Sequence, residues 1–161
     1  MNIVLGPVGN VLGCCVVAPI TEETAKGIAV KNNYATEFSV VFNIYEASSY
    51  IIKSSVIGVP FKVDGVIGRY KIPLKNMVRA RTAAVGMHIS TTIIQWLSTN
   101  PKLLAKLGID ENNDESGKKE KVAFIGQLIS MIIHFSWNLA ASTSKSFARA
   151  ISGAHPCQKR L

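Results

Sequence analysis

The chain has 161 residues, 48% of them hydrophobic, and its length corresponds to a single domain, residues 1–161, large enough for a four-helix bundle. Its three cysteines (Cys14, Cys15 and Cys157) are an odd number without C-x-x-C spacing, which excludes a disulfide framework and a structural zinc finger. The formal net charge is +8, but the basic residues flank apolar segments instead of alternating with aromatic residues, which disfavours nucleic acid as a partner.

Four apolar segments follow one another along the chain, at residues 4–30, 35–59, 73–97 and 122–151. Each contains a stretch close to the roughly 20 residues that cross a hydrocarbon core, and Pro73 suits a first helical turn. An Asn-Asn-Tyr connection at 32–34, a Gly/Pro/Lys-rich loop at 58–72 and a charged loop at 100–121 separate them, and a basic tail covers 142–161. The pattern predicts an all-α fold, a polytopic transmembrane bundle of about four helices.

Charged side chains interrupt the first apolar segment at Glu22, Glu23 and Lys26. Glu22 and Lys26 are four residues apart and therefore share a helical face, and Glu23 is three residues from Lys26. On a soluble helix this would be a surface ion pair. Because an apolar run precedes it, we expect a low-dielectric site in which one carboxylate acts as a base and Lys26 balances the charge of the other.

The second segment carries Glu46 on the same helical stripe as Phe42 and Tyr50, each four residues away. A hydrogen bond from Glu46 to Tyr50 or to a neighbouring helix is one interpretation. The other is a carboxylate that binds a metal or acts as a general base.

The third and fourth segments each contain a histidine, and His134 shares its helical face with Asn138. A single histidine such as His88 on an apolar face is more often a hydrogen-bonded core residue than a ligand. Two histidines, three glutamates and an asparagine on separate apolar segments indicate a site, because imidazole and carboxylate suit a zinc-like ion or hold a nucleophilic water.

The distribution of basic residues predicts the orientation in a membrane. If all four segments cross, one side holds the residues Lys62, Arg69, Lys71, Lys75, Arg79, Arg81, Lys145, Arg149, Lys159 and Arg160. The opposite side holds Lys102, Lys106, Lys118, Lys119 and Lys121. The excess of lysine and arginine makes the first side cytoplasmic, so we expect an integral membrane protein with both termini in the cytoplasm and with lipid headgroups as partners of the basic residues.

The four clusters, taken in order, resemble the motifs of the PrsW family of intramembrane proteases, which is related to the CPBP (CAAX protease and bacteriocin-processing) superfamily. The order is E-E-x-x-K from Glu22, F-x-x-x-E-x-x-x-Y from Phe42, a helix centred on His88, and H-x-x-x-N from His134. The similarity covers roughly residues 19–141. The chain departs from the family at Ala47, where asparagine is common, and it lacks the additional transmembrane helices of most members.

The resemblance implies metal- or glutamate-dependent hydrolysis of peptide bonds in membrane-protein substrates. Glu22 or Glu23 would activate a water, and Lys26 would balance charge. The groups implied to bind a divalent metal such as zinc, or the developing oxyanion, are Glu46, His88, His134 and Asn138. Two alternatives stay open, a non-catalytic membrane bundle whose polar residues fix packing or bind a partner, and a soluble helical interaction domain.

Overall fold

The computed structural model describes residues 12–63, 66–109 and 117–144, together with residues 146 and 148. This part of the chain is mostly helical, which confirms the all-α class. Our expectations for the N-terminal residues 1–11, for residues 110–116 of the charged loop and for most of the basic tail lie outside the described residues.

Helix α1 spans Ala18–Lys31 and continues a π-helical turn at Gly13–Val17. Helix α2 spans Ala35–Ile51 and runs into a second π-helical stretch at Ile52–Ile57. Strands β1 (Val59–Val63) and β2 (Val66–Tyr70) follow, and then helices α3 (Leu74–Thr99), α4 (Pro101–Lys106) and α5 (Lys118–Thr143). The helical stretches agree with the second and third apolar segments to within a few residues. Helix α5 begins four residues before residue 122 and ends at Thr143, eight residues before residue 151.

The predicted loop at residues 58–72 is a β-hairpin in the structure. Gly58, at φ 90°, ends the helical path, and β1 pairs antiparallel with β2 so that Val59 lies opposite Tyr70. Apolar residues at alternate positions of β1 are typical of a strand. The backbone N–H of Ile72 donates to the carbonyl of Ser54 at 3.0 Å, which joins the end of the hairpin to the end of α2.

Helices α1, α2, α3 and α5 form the bundle, and α3 contacts the other three. The contact of α3 with α5 is the most extensive, and it depends on Gly126, where an added Cβ would collide with the side chain of Ser98. The described residues therefore have α3 as a central helix, and polar groups on α3 can reach α1, α2 and α5.

The interior of the bundle contains many polar side chains, and large apolar side chains lie on its outside. The buried polar or charged residues are Glu23, Lys26, Asn43, Ser54, His88, Thr91, Thr92, Gln95, Ser130 and His134. Large apolar side chains are exposed along α2 and α5, among them Val40, Val41, Ile44, Tyr45, Phe124, Ile125, Leu128, Ile129 and Ile132. Exposed apolar side chains at helical spacing, such as Val40 and Ile44, are typical of a surface that contacts a protein partner or a membrane.

Among the described helices, α5 alone is long and apolar enough to cross a membrane by length and composition, and its side chains are mostly exposed. Helix α3 is also 26 residues long, but it contains the polar residues Arg79, Arg81, His88 and Gln95. One membrane-compatible helix is weak evidence by itself, so the polytopic bundle stays a prediction.

Candidate active site

Lys26 is the centre of a polar network between α1 and α3. Its ammonium Nζ lies 2.7 Å from Glu23 Oε1, 3.0 Å from His88 Nδ1 and 3.0 Å from Thr91 Oγ1. The side chain is 1% exposed. Since an ammonium has three N–H donors and no acceptor, each donor has a partner here. The buried charge is therefore fully hydrogen-bonded, as burial of a cation requires.

Glu23 is fully enclosed and accepts hydrogen bonds on both carboxylate oxygens. Oε1 lies 2.8 Å from His134 Nδ1 and 3.3 Å from the hydroxyl of Thr91, in addition to Lys26. Oε2 accepts from Gln95 Nε2 at 2.8 Å. This arrangement suits an ionised carboxylate, which only accepts hydrogen bonds.

His88 lies between Lys26 and Glu46. Because the ammonium only donates, His88 Nδ1 must accept, and the ring proton is assigned to Nε2, which donates to Glu46 Oε2 at 3.0 Å. Glu46 also accepts from Arg81 Nη1 at 3.3 Å, and the guanidinium of Arg81 stacks 4.1 Å from the ring centre of Tyr50. Glu46 thus has partners for both oxygens.

His134 joins the two adjacent glutamates of α1. Its Nδ1 is hydrogen-bonded to Glu23, whereas its Nε2 lies 3.7 Å from Glu22 Oε2, which is longer than a hydrogen bond. Glu22 Oε2 has no hydrogen-bond partner among the described residues. Of the three carboxylates in the cluster, Glu22 is the one that is left with an unpartnered oxygen.

A cavity of about 250 Å³ opens next to this cluster, at the end of the bundle that carries the β-hairpin. Its polar lining includes Glu22, Glu46, His88, His134 and Asn138. Glu23 and Lys26 do not line the cavity; they lie behind it. A water or a substrate in the cavity would therefore meet Glu22 and not Glu23.

Asn138 connects α5 to the π-helical turn before α1. Its Nδ2 donates to the carbonyl oxygen of Cys14 at 2.8 Å, and the side chain also lines the cavity. One of its two N–H groups is therefore committed to the backbone, and the amide has a second N–H. The structure thus brings all seven residues that the sequence indicated (Glu22, Glu23, Lys26, Glu46, His88, His134 and Asn138) to one region between four helices.

Three residues of the cluster offer the nitrogen and oxygen atoms that a divalent metal binds. Glu22, His88 and His134 each offer a ligand atom, and these atoms lie within 4.8 Å of one another. His134 has the usual surroundings of a metal ligand, because its other nitrogen donates to a carboxylate. His88 does not, because an ammonium occupies its lone pair at Nδ1 and its Nε2–H is directed to Glu46.

Glu46, which the sequence indicated as a metal ligand, is bound to His88 and Arg81 instead of facing the other ligand atoms. Of the three residues, Glu22 and His134 have free ligand atoms in this hydrogen-bond arrangement, whereas catalytic zinc sites use three protein ligands. The cluster could hold a divalent metal if His88 exchanged one of its hydrogen bonds for the metal.

The sequence interpretation missed Arg81, Thr91 and Gln95. Together with His88 they follow helical spacing along one face of α3, at intervals of seven, three and four residues. A polar stripe on an otherwise apolar helix was the available signal.

Comparison of the chain with family models, with curated proteins and with solved structures found no match. A functional assignment therefore depends on the geometry of the cluster and on the order of its motifs.

Proposed function

We propose that the protein is a glutamate-dependent intramembrane protease of the PrsW and CPBP type, which hydrolyses peptide bonds of membrane-protein substrates. The observation that carries this proposal is Glu22. Its carboxylate lines a polar cavity between helices, lacks a partner for one oxygen, and lies beside a histidine that a second glutamate orients.

In this proposal Glu22 acts as the general base. It takes one proton from a water in the cavity, the water oxygen bonds to the substrate carbonyl carbon, and the C–N bond then breaks as the proton passes to the leaving nitrogen. His134, held by Glu23, orients the water through Nε2. The second N–H of Asn138 faces the oxygen on which negative charge develops.

The bilayer assignment is part of the same proposal. A lipid environment favours apolar side chains on the outside of a bundle and polar side chains in its interior. Peptide hydrolysis at membrane depth needs water, which a cavity with polar side chains can hold. The polar groups inside α3 lower its average hydropathy, and α1 and α2 reach about 20 residues only together with their π-helical stretches at Gly13–Val17 and Ile52–Ile57. We propose four spans formed by α1, α2, α3 and α5.

The four-span arrangement predicts opposite accessibility for the two ends of the bundle. In a variant without native cysteines, Lys75→Cys should react with an impermeant thiol reagent only from the cytoplasmic side, and Lys106→Cys only from the other side. Both lysines are exposed and lie outside the site. Labelling of both positions from the same side would contradict this topology.

A metal-dependent hydrolase is the second candidate, which the closeness of Glu22, His88 and His134 favours. We expect protein purified without added metal and dialysed against a chelator to retain full cleavage, because the lone pair of His88 Nδ1 is occupied by Lys26. The measurement is metal content by elemental analysis beside the cleavage rate. Loss of cleavage on chelation with recovery on zinc addition would establish the second candidate instead.

A further inference from the structure

Gln95 is a buried side chain of α3 that contacts the site without lining its cavity. It is 2% exposed, and its Nε2 donates to Glu23 twice, to the carboxylate Oε2 at 2.8 Å and to the backbone carbonyl at 3.2 Å. Both contacts reach a single residue of α1. The amide of Gln95 therefore acts on Glu23 alone among the carboxylates of the cluster.

The orientation of this amide follows from its surroundings. Both acceptors of Glu23 require N–H groups, and a flipped amide would place its oxygen against the carboxylate. Oε1 instead faces Gly27, where an added Cβ would lie 3.2 Å from it. A glycine one helical turn after Glu23 thus provides the space that the Gln95 oxygen occupies.

The hydrogen bond from Gln95 determines what Glu23 can do on its other oxygen. With an N–H donor at Oε2 and the Lys26 ammonium at Oε1, Glu23 is stabilised as an ionised carboxylate, which only accepts hydrogen bonds. His134 Nδ1 must then supply the hydrogen in its contact with Oε1. The lone pair of His134 is left on Nε2, on the side of Glu22 and the cavity.

We infer that Gln95 is a positioning residue that sets the proton position on His134 through Glu23. The effect of Gln95 on catalysis rests on the proposed function, because His134 Nε2 orients a water only in the proposed hydrolysis. The tautomer itself does not depend on that function. Without the Gln95 donor, the carboxylate of Glu23 can rotate about its Cγ–Cδ bond or bind a proton at Oε2. His134 is then no longer held in one tautomer.

The direct test is nitrogen NMR of the full chain labelled with ¹⁵N-histidine in detergent micelles. The sequence contains three histidines, and loss of a signal in His134→Gln assigns the ring of interest. We expect a protonated Nδ1 and an unprotonated Nε2 in the wild type, and a mixture of tautomers in Gln95→Met. A Gln95→Met protein that is folded and has the wild-type His134 spectrum would overturn the inference.

A matched control is Gln127→Met. Gln127 lies on α5 against the same Gly27, but its Nε2 contacts the hydroxyl of Thr24 at 3.4 Å instead of a site residue. We expect no change at His134 in this variant.

If Gln95→Met fails to fold, Gly27→Ala replaces it, because the added methyl displaces the Gln95 amide by a few tenths of an ångström and removes no polar group. An unchanged His134 spectrum in folded Gly27→Ala would also overturn the inference.

Cleavage provides the second readout. Gln95→Met should lower kcat by on the order of tenfold with KM unchanged, as misplacement of a catalytic group does.

In the exchanged pair Glu23→Gln with Gln95→Glu, an amide and a carboxylate still face each other, so thermal stability should recover relative to Glu23→Gln while cleavage does not. Recovery of cleavage would show that the pair has only a structural role. A wild type that cleaves nothing would refute the proposed protease, and the NMR result would still decide the role of Gln95.

Discussion

Replacing Glu22 by Gln should lower cleavage of a transmembrane reporter by on the order of 10²-fold or more, since the amide cannot act as a general base. The protein should stay folded, because the Glu22 Oε2 atom has no hydrogen bond to lose. Its melting temperature should be equal or higher, since a neutral amide costs less to bury than a carboxylate. The measurements are initial cleavage rates in reconstituted vesicles and thermal unfolding in detergent.

Two other glutamates act as controls for this substitution. Glu37→Gln, on the exposed surface of α2, should change neither cleavage nor stability. Glu23→Gln should lower both, because in either amide orientation the new NH₂ group would face a donor, Lys26 and His134 at one position or Gln95 at the other. Wild-type cleavage in Glu22→Gln would remove Glu22 as the base. Absence of cleavage in every protein, including the wild type, would favour the non-catalytic bundle.

The sequence predicted the helical segments well because long apolar runs separated by polar connections determine where helices begin and end. The connection between α1 and α2 is an example, since Asn33 adopts φ 62°, a conformation that asparagine tolerates better than most residues. The hairpin at residues 59–70 was not predicted. Its strands have five residues each, and Gly, Pro and Lys within and around them give the segment the composition of a loop, so the short alternating pattern is weak.

The sequence could indicate which residues form the site but not which chemical role each residue has. Glu22 and Glu23 are adjacent and about 100° apart around a helix, so the rotation of α1 within the bundle decides which one meets the cavity. That rotation depends on packing against α3 and α5, which one sequence does not show. Thr91 and Gln95 were missed for a related reason, because neutral polar residues in an apolar helix are common and gain a role only through their partners.

The same packing explains why α3 is less apolar on average than α5, although both helices have 26 residues. Several polar residues of α1 and α3, among them Lys26, His88 and Gln95, are almost completely buried, whereas Lys31, Lys75 and Arg79 are exposed near the helix ends. The exposed surfaces of α2 and α5 are instead apolar. The mean hydropathy of a helix averages over its buried and exposed faces, whereas only the exposed face contacts the surroundings of the bundle.

Replacing Lys26 by Met should be the most destabilising single change in the described part of the chain. Methionine has a similar volume but removes the cation that Glu23 and His88 face at 2.7 and 3.0 Å. Removal of one partner of a buried ion pair leaves an uncompensated charge, which costs about 3–5 kcal/mol in the free energy of unfolding. The measurement is unfolding in mixed micelles titrated with a denaturing detergent.

The matched control is Lys31→Met, an exposed lysine of the same helix, which should change the free energy of unfolding by less than about 0.5 kcal/mol. The double variant Glu23→Gln with Lys26→Met should recover much of the lost stability, because it removes both charges from the interior. It should not recover cleavage, since His134 then lacks the carboxylate that orients it. If Lys26→Met were as stable as the wild type, the ammonium would have to lie in water instead of in the Glu23, His88 and Thr91 network, and the arrangement of the whole site would be wrong.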